Sequence, residues 1–355
     1  MIPSTSFRQQ RKGISLLEML VVLGIITLLV SLLLPALQKV RATWDAMRCA
    51  AQLRQLVQAA HQFEADHGRL PPGYLGPSME AQESYPSEQH FNRGQWMGHL
   101  PLLMPYLEQR ALVRDLNIDT TPETVTDYPW FWQSTQQAIH TSHYQVACAK
   151  LQFLLCPSVS SFVPEAGLSY PPGGGTLIGA HVFNNALLGV KTSAWKDDYV
   201  KSASFYPLGR THYVGVAGCG SGSHAMYSKY EGIYTNRSRL TLGRVAAADG
   251  TSNTLLYGEA CSSRWLGSRW ESMDLSWVGV GALGTYGGLP PAKTGEIIHF
   301  SSFHPSGVTF AFADGSVRPI RRGSTTNPHT QDWLLLQTLA GWRDGGAIDG
   351  KLFAD

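Results

Sequence analysis

Charge is scarce in this sequence. Only 15% of the 355 residues are Asp, Glu, Lys or Arg, against roughly 25% in an ordinary soluble domain. The 28 basic and 26 acidic side chains nearly cancel and leave a formal net charge of +2. No broad basic surface is therefore available to a phosphate backbone, and no nucleic-acid partner is expected. Cysteine is sparse too. The chain holds five, with no C-x-x-C pair, which excludes a disulfide-framework miniprotein and the common structural-zinc and thioredoxin motifs. No internal repeat or low-complexity linker occurs. The 36 Gly and 20 Pro stand only slightly above their usual combined share of roughly 12%, which excludes collagen-like sequence. A G-x-S-x-G nucleophile elbow is missing. What remains is a chain with 43% hydrophobic residues, enough to bury a core. Its length suits two domains, or one large domain with a non-globular part.

The hydrophobic residues are unevenly placed. Residues 1–13 are polar and carry Arg8, Arg11 and Lys12 with no acid. From Ile14 to Leu34 the chain is apolar for 21 residues, broken only by Ser15, Glu18, Gly24, Thr27 and Ser31. As a helix this run rises about 31 Å, close to a bilayer core of about 30 Å. It is too long for a secretory signal, and Leu33-Leu34-Pro35-Ala36-Leu37 offers no A-x-A cleavage site. A retained membrane anchor is expected. Charge does not orient it, because Lys39, Arg41 and Arg48 follow as closely as Arg8, Arg11 and Lys12 precede. Glu18 is the anomaly, since a carboxylate at the bilayer centre costs about 2.5–3.5 kcal/mol. Two readings fit. The acid snorkels at the interface beside the positive helix N-terminus, or it meets a positive group on another subunit.

The segment Arg11-Lys12-Gly13-Ile14-Ser15-Leu16-Leu17-Glu18-Met19-Leu20 resembles the class III signal of type IV pilins and type II secretion pseudopilins. The resemblance implies cleavage by a prepilin peptidase between Gly13 and Ile14, followed by N-methylation of Ile14. It implies that Glu18 pairs with the N-terminal amine of a neighbouring subunit during assembly. It also implies a cytoplasmic N-terminus, a single pass through the inner membrane and a periplasmic head, which reaches the cell surface or exterior after assembly. Pro35 falls where pilin helices carry a proline. Ile14 departs from the Phe that is commoner at that position.

From Gln38 to His67 there is neither Pro nor Gly. Ala42, Ala46, Cys49, Ala50, Leu53, Leu56, Val57, Ala60 and Phe63 recur at steps of three and four, one apolar stripe of a helix. Gly68 and Pro71-Pro72 end it. With the anchor this predicts one helix of about 54 residues, kinked at Pro35. Beyond Pro72 short segments alternate with turn residues. Trp96–Tyr106 leads into a short helix ending near Leu116. Residues 152–158 read as a short strand closing in a turn. Strands are predicted at His212–Ala217 and Leu255–Glu259. Val308–Ile320, with Asp314-Gly315 at its middle, reads as a hairpin. A last helix spans Thr330–Leu339. A long helix followed by antiparallel strands predicts an α+β fold. The expected organisation is a leader at 1–13, a membrane or filament-core helix at 14–37, its amphipathic continuation at 38–68 and a head at 69–355. Residues 160–205 form a loop-rich insertion.

The head carries a second resemblance. Pro71-Pro72-Gly73, Pro105-Tyr106-Leu107-Glu108-Gln109, Cys156-Pro157-Ser158, Asp249-Gly250-Thr251-Ser252-Asn253-Thr254 with Glu259, and His304 ahead of Asp314-Gly315 are similar, in this order, to the DUF1559 family of prepilin-like proteins with a carboxyl-terminal H-x9-D-G motif. The resemblance marks Cys156, Asp249, Asn253, Glu259, His304, Asp314 and Gly315 as motif residues without assigning them a role. It implies a non-enzymatic structural protein whose partners are a prepilin peptidase, other pilin-like subunits or itself, and membrane lipid. No cofactor or metal is expected. The alternative is a membrane-tethered solute- or glycan-binding head that does not polymerise.

Several constellations also have plainer readings. Asp249–Asn253 offers oxygens to a Ca²⁺ ion, or forms a turn whose side chains bond their own backbone. His304 and Asp314 could orient a base for Ser301, Ser302 or Ser306, or simply stabilise two turns. Gly279–Gly284 matches G-x-G-x-x-G, but no helix follows, so the dinucleotide reading fails. His140 and His143 lack a third ligand. Cys148, Cys156, Cys219 and Cys261 allow up to two bridges in an oxidising compartment, and Cys49 sits on the helical stripe. Spacing assigns no pairing.

Overall fold

The uninterrupted stretch before Gly68 forms the helix its residues dictate. In the computed structural model, α1 runs from Leu16 to His67, 52 residues, or about 78 Å of rise. The helix continues through Pro35. At its end Gly68 takes φ 68°, and its N–H donates to the Glu64 carbonyl at 2.7 Å. A left-handed residue of this kind ends the helix at little cost only when it lacks a Cβ. The structure describes residues 16–76, 95, 97–116, 146–159, 174–179, 182–186, 189–192, 195–196, 209–219, 227–261, 272–291 and 299–346.

The chain divides into two compact units between Asp45 and Ala46. The first contains the apolar part of α1. An 18-residue window there has a mean hydropathy of 2.8 and no buried residue, so this helix is long and apolar enough to cross a membrane. Among the described residues, every exposed large hydrophobic except Leu334 lies between Leu16 and Met47 of α1. Ala42 is exposed and Ala46 half-buried. Full burial begins at Cys49 and continues through Gln52, Leu53, Leu56, Val57, Ala59, Ala60 and Phe63, the 3.6-residue period of one packed face.

The second unit is built of short helices and strands. Its helices are α2 (Leu100–Leu103), α3 (Arg110–Val113), α4 (Leu242–Ala247) and α5 (Gln331–Ala340). The first strands are β1 (Tyr74–Leu75), β2 (Met97–Gly98), β3 (Gly174–Gly179), β4 (Val182–Ala186), β5 (Gly189–Thr192), β6 (Trp195–Lys196) and β7 (Arg210–Thr211). Then come β8 (Tyr213–Gly218), β9 (Leu255–Glu259), β10 (Ser272–Ser276), β11 (Ala282–Gly284), β12 (Val308–Phe312) and β13 (Val317–Ile320). The main sheet has the order β11-β8-β9-β12-β13. Its neighbours are antiparallel except β11, which runs parallel to β8. A second sheet, β6-β3-β10-β7, also holds a parallel pair, β3 with β10. The fold is α+β, with mixed rather than purely antiparallel sheets. Both parallel pairs join strands far apart in sequence, which leaves room for the crossover a parallel connection needs.

Every residue of β8, β9 and β12 is buried, as expected for strands covered on both faces. One core joins them to the α1 stripe and to Leu336 and Leu339 of α5. Polar ties add direction. The Gln52 amide donates to the Gln152 carbonyl at 3.1 Å and accepts from the Tyr213 hydroxyl at 2.6 Å. Glu64 accepts the Leu242 N–H at the start of α4, at 2.7 Å. The β12–β13 hairpin turns on Asp314-Gly315: Gly315 has φ 87°, and the Asp314 carboxylate accepts the Ser316 N–H at 2.8 Å. Helix α5 is capped by the Thr330 hydroxyl and stops at Gly341. Residues 152–158 depart from the predicted strand and form two 3₁₀ turns, Gln152–Leu154 and Pro157–Val159. Pro157 has no N–H to give a ladder, and the Leu154 carbonyl instead accepts from His212.

Two predictions concern this core. Phe310 is fully buried, with its ring centroid 5.1 Å from that of Phe300. Phe310→Ala should destabilise the head by about 3–5 kcal/mol, read as a lower urea midpoint for detergent-solubilised protein. His99 is also fully buried and stacks on Tyr234 at 4.6 Å. Burial pushes its imidazole down to about 4, outweighing the upward pull of the Gly73 and Gly281 backbone. The unfolded chain therefore binds this proton first as pH falls. The stability His99 contributes is intact above about 6.5 and is lost as pH drops toward 4. Replacing His99 with Phe should flatten the fall in unfolding midpoint across that window. An unchanged slope would remove His99 as its source.

Candidate functional site

Four residues that the sequence scatters meet where α1 enters the core. Cys49 is the first fully buried residue of α1. Cys156 precedes the Pro157 turn, and its N–H donates to His212 Nδ1 at 2.9 Å. Glu259 ends β9. His304 lies in the turn before β12. Its N–H donates to Ser302 Oγ at 3.1 Å, and Arg322 Nη2 donates to the carbonyls of Ser302 at 2.5 Å and His304 at 3.2 Å. Each donor thus comes from a different segment, and backbone contacts hold the turns that carry two of them.

The donor atoms of Cys49, Cys156, Glu259 and His304 all lie within 4.8 Å of one another. Cys49 Sγ and Cys156 Sγ are 2.9 Å apart. His304 Nε2 stands 3.3 Å from Cys49 Sγ, 3.6 Å from Cys156 Sγ and 3.3 Å from Glu259 Oε1. On the far side of the ring, Nδ1 faces Ser158 Oγ at 3.4 Å. Glu259 Oε2 accepts the Thr309 N–H at 3.1 Å, whereas Oε1 has only its charge contact with His304. The Cys261 thiol lies against Cys156. All five cysteines are free thiols.

These groups act on one another's protons. Hydrogen bonds from the Cys261 and Cys49 thiols, with the His304 imidazole behind them, hold the Cys156 thiol well below its usual range. Cys49 is pushed up by sharing its proton with Cys156 and by burial. Burial pulls His304 down, but Cys156 and Glu259 outweigh it and lift the imidazole to about 10. Ionisable groups buried this closely are tolerated only where each faces a partner of opposite charge or a hydrogen-bond partner.

The contacts concentrate on one nitrogen of His304. Both sulfurs and the carboxylate converge on Nε2, and only the Ser158 hydroxyl, at 3.4 Å, faces Nδ1. His304 is only 2% exposed and Glu259 is fully buried. Ser302 bonds the backbone of His304 rather than its ring, and Asp314 stands in its own hairpin turn. What converges is a set of donors around one point.

The other motif residues are placed elsewhere. Asp249 accepts backbone N–H groups of Asp344 at 2.7 Å and Gly345 at 3.0 Å. Asn253 donates to the Asp249 carbonyl at 3.2 Å. Both oxygens of that carboxylate are engaged in fastening the carboxyl-terminal segment, which supports the turn reading over the Ca²⁺ one. Gly315 serves the hairpin. Gly279–Gly284 runs through a turn into β11, not a helix. Glu18 lies in the first turn of α1. Gly13, Ile14, His140 and His143 lie outside the described residues.

Sequence reasoning singled out Cys156, Glu259 and His304 as motif residues and Cys49 as a stripe residue. It did not unite them, because Cys49 lies 107 residues before Cys156 and 255 before His304, and no local spacing connects them. No curated protein and no solved structure matches the chain significantly. A family model described as a protein of unknown function, DUF1559, matches residues 38–322, a span that holds all four clustered residues. The chain belongs to the DUF1559 family.

Proposed function

We propose that this protein is a prepilin-like structural subunit, not an enzyme. A prepilin peptidase cuts after Gly13 and methylates Ile14. The helix then anchors the protein in the inner membrane with its head in the periplasm. Contacts along that helix, with copies of itself or with other pilin-like subunits, build a pilus or a type II secretion pseudopilus. The observation that carries this reading is the division of α1. Its apolar residues from Leu16 to Val40 are exposed, whereas Cys49 to Phe63 are built into the head core. A helix that leaves so much apolar surface uncovered needs lipid or neighbouring helices to cover it. Family membership and the acid in the first turn, Glu18, agree with a pilin-type anchor.

Glu18 has a specific part in this scheme. Its carboxylate is costly near the bilayer centre, and a neighbour's N-terminal amine relieves that cost by pairing. Glu18→Val should therefore leave the thermal unfolding of the head unchanged while blocking or slowing incorporation into sheared filaments. Normal incorporation would defeat this role. Intact mass and N-terminal sequencing of membrane-extracted protein test the processing step. With the peptidase present, the chain should start at Ile14 and carry one extra methyl. An uncut chain would leave a plain anchor and defeat the prepilin reading.

A further inference from the structure

We propose that Cys49, Cys156, Glu259 and His304 form a buried structural site for a borderline-soft divalent cation, Zn²⁺ by chemical class. The site does not depend on whether the protein polymerises. The donor set is two sulfurs, one imidazole nitrogen and one carboxylate oxygen. Thiolate donors favour Zn²⁺ over Mg²⁺ or Ca²⁺, which take oxygen ligands. Four protein donors leave no open position, the mark of a structural rather than a catalytic zinc site.

Three features beyond the count of donors point the same way. First, the atoms converge. A tetrahedral ion with bonds of about 2.0–2.3 Å holds its donors about 3.3–3.8 Å apart. The three contacts to His304 Nε2, at 3.3, 3.3 and 3.6 Å, lie in that range. The two sulfurs, at 2.9 Å, would move apart by under about 1 Å.

Second, the outer groups are arranged as ligand supports. Zinc-binding histidines commonly donate their other ring N–H to an oxygen, and ligating carboxylates are themselves hydrogen-bonded. Here His304 Nδ1 faces Ser158 Oγ. Glu259 Oε2 takes the Thr309 N–H, which leaves the fully buried Oε1, without a hydrogen bond, turned into the cluster. Third, the charges balance. Two thiolates and a carboxylate carry three negative charges. A divalent ion and the Arg322 guanidinium, which bonds the backbone of Ser302 and His304, supply three positive ones. The ion would clamp α1 to the Cys156 turn, to the end of β9 and to the turn before β12.

The test uses the full-length chain in detergent, reduced and stripped of metal, then titrated with Zn²⁺ alone and, separately, with Co²⁺ alone. One ion should bind per folded chain. The Co²⁺ form should show tetrahedral ligand-field bands and thiolate-to-cobalt charge transfer with the intensity of two thiolates. Cys156→Ser and His304→Gln should lose that signature. Ser158→Ala keeps all four donors and should weaken Zn²⁺ binding about 10- to 100-fold. The wild-type spectrum counts thiolates by itself, so a variant that fails to fold does not blunt the test, and circular dichroism identifies such a variant. Failure of the folded, reduced wild-type chain to bind one ion would overturn the proposal. So would a Co²⁺ spectrum without thiolate charge transfer, or one unchanged in a folded Cys156→Ser chain. A Cys49–Cys156 disulfide that resists the reductant and excludes the ion would also overturn it.

Discussion

The structure depends on one helix having two environments. Up to Val40 the side chains of α1 are exposed and almost all apolar, and from Cys49 a single face turns into the core of the head. Eight residues of that face are buried. Burial of a Leu, Val or Phe side chain contributes on the order of 1.5–3 kcal/mol, so this face is a principal source of head stability. The central strands β8, β9 and β12 are buried along their whole length and, Glu259 and Thr309 apart, hold apolar, aromatic or small residues. They require cover on both sides, and the α1 stripe belongs to the core that supplies it. The same helix that displays uncovered apolar surface is therefore fastened to the head by its own packing.

Polar groups make that packing specific. Gln52, His61, Glu64 and Asp66 of α1 bond, respectively, Gln152 and Tyr213, the Ala313 carbonyl, the Leu242 N–H and the Tyr106 hydroxyl. Hydrophobic contact alone tolerates sliding by a turn. Each of these bonds would be broken by such a slip, and a buried partner left unsatisfied costs about 1–3 kcal/mol. The Cys49 cluster adds a further term of this kind, since it gathers buried ionisable groups. Its members come from the first buried turn of α1, a 3₁₀ turn, a strand end and a loop, so the cluster forms only when the whole head is assembled.

The motif residues divide by physical role. Asp249 and Asn253 organise a turn and hold the Asp344–Gly345 backbone. Asp314 and Gly315 close a hairpin, where φ 87° favours glycine. Cys156, Glu259 and His304 converge on Cys49. The H-x9-D-G signature thus joins two separate tasks, a donor ahead of β12 and a turn beyond its end, with the five-residue strand inside the interval.

The sequence by itself determined what local chemistry controls. An apolar run of bilayer length, a three-and-four spacing without Pro or Gly, a capping Gly68 and an Asp-Gly turn specify α1, its end and the β12–β13 hairpin, because each depends on neighbours a few residues away. Strand β9 and helix α5 were legible for the same reason. Tertiary structure alone decided the rest. Residues 152–158 became 3₁₀ turns once the Leu154 carbonyl found His212. Strand β11 joined β8 in parallel across a long connection. Four donors too distant in sequence for any spacing rule were brought within 4.8 Å. Such proximity is set by which faces pack together, and no local pattern encodes it.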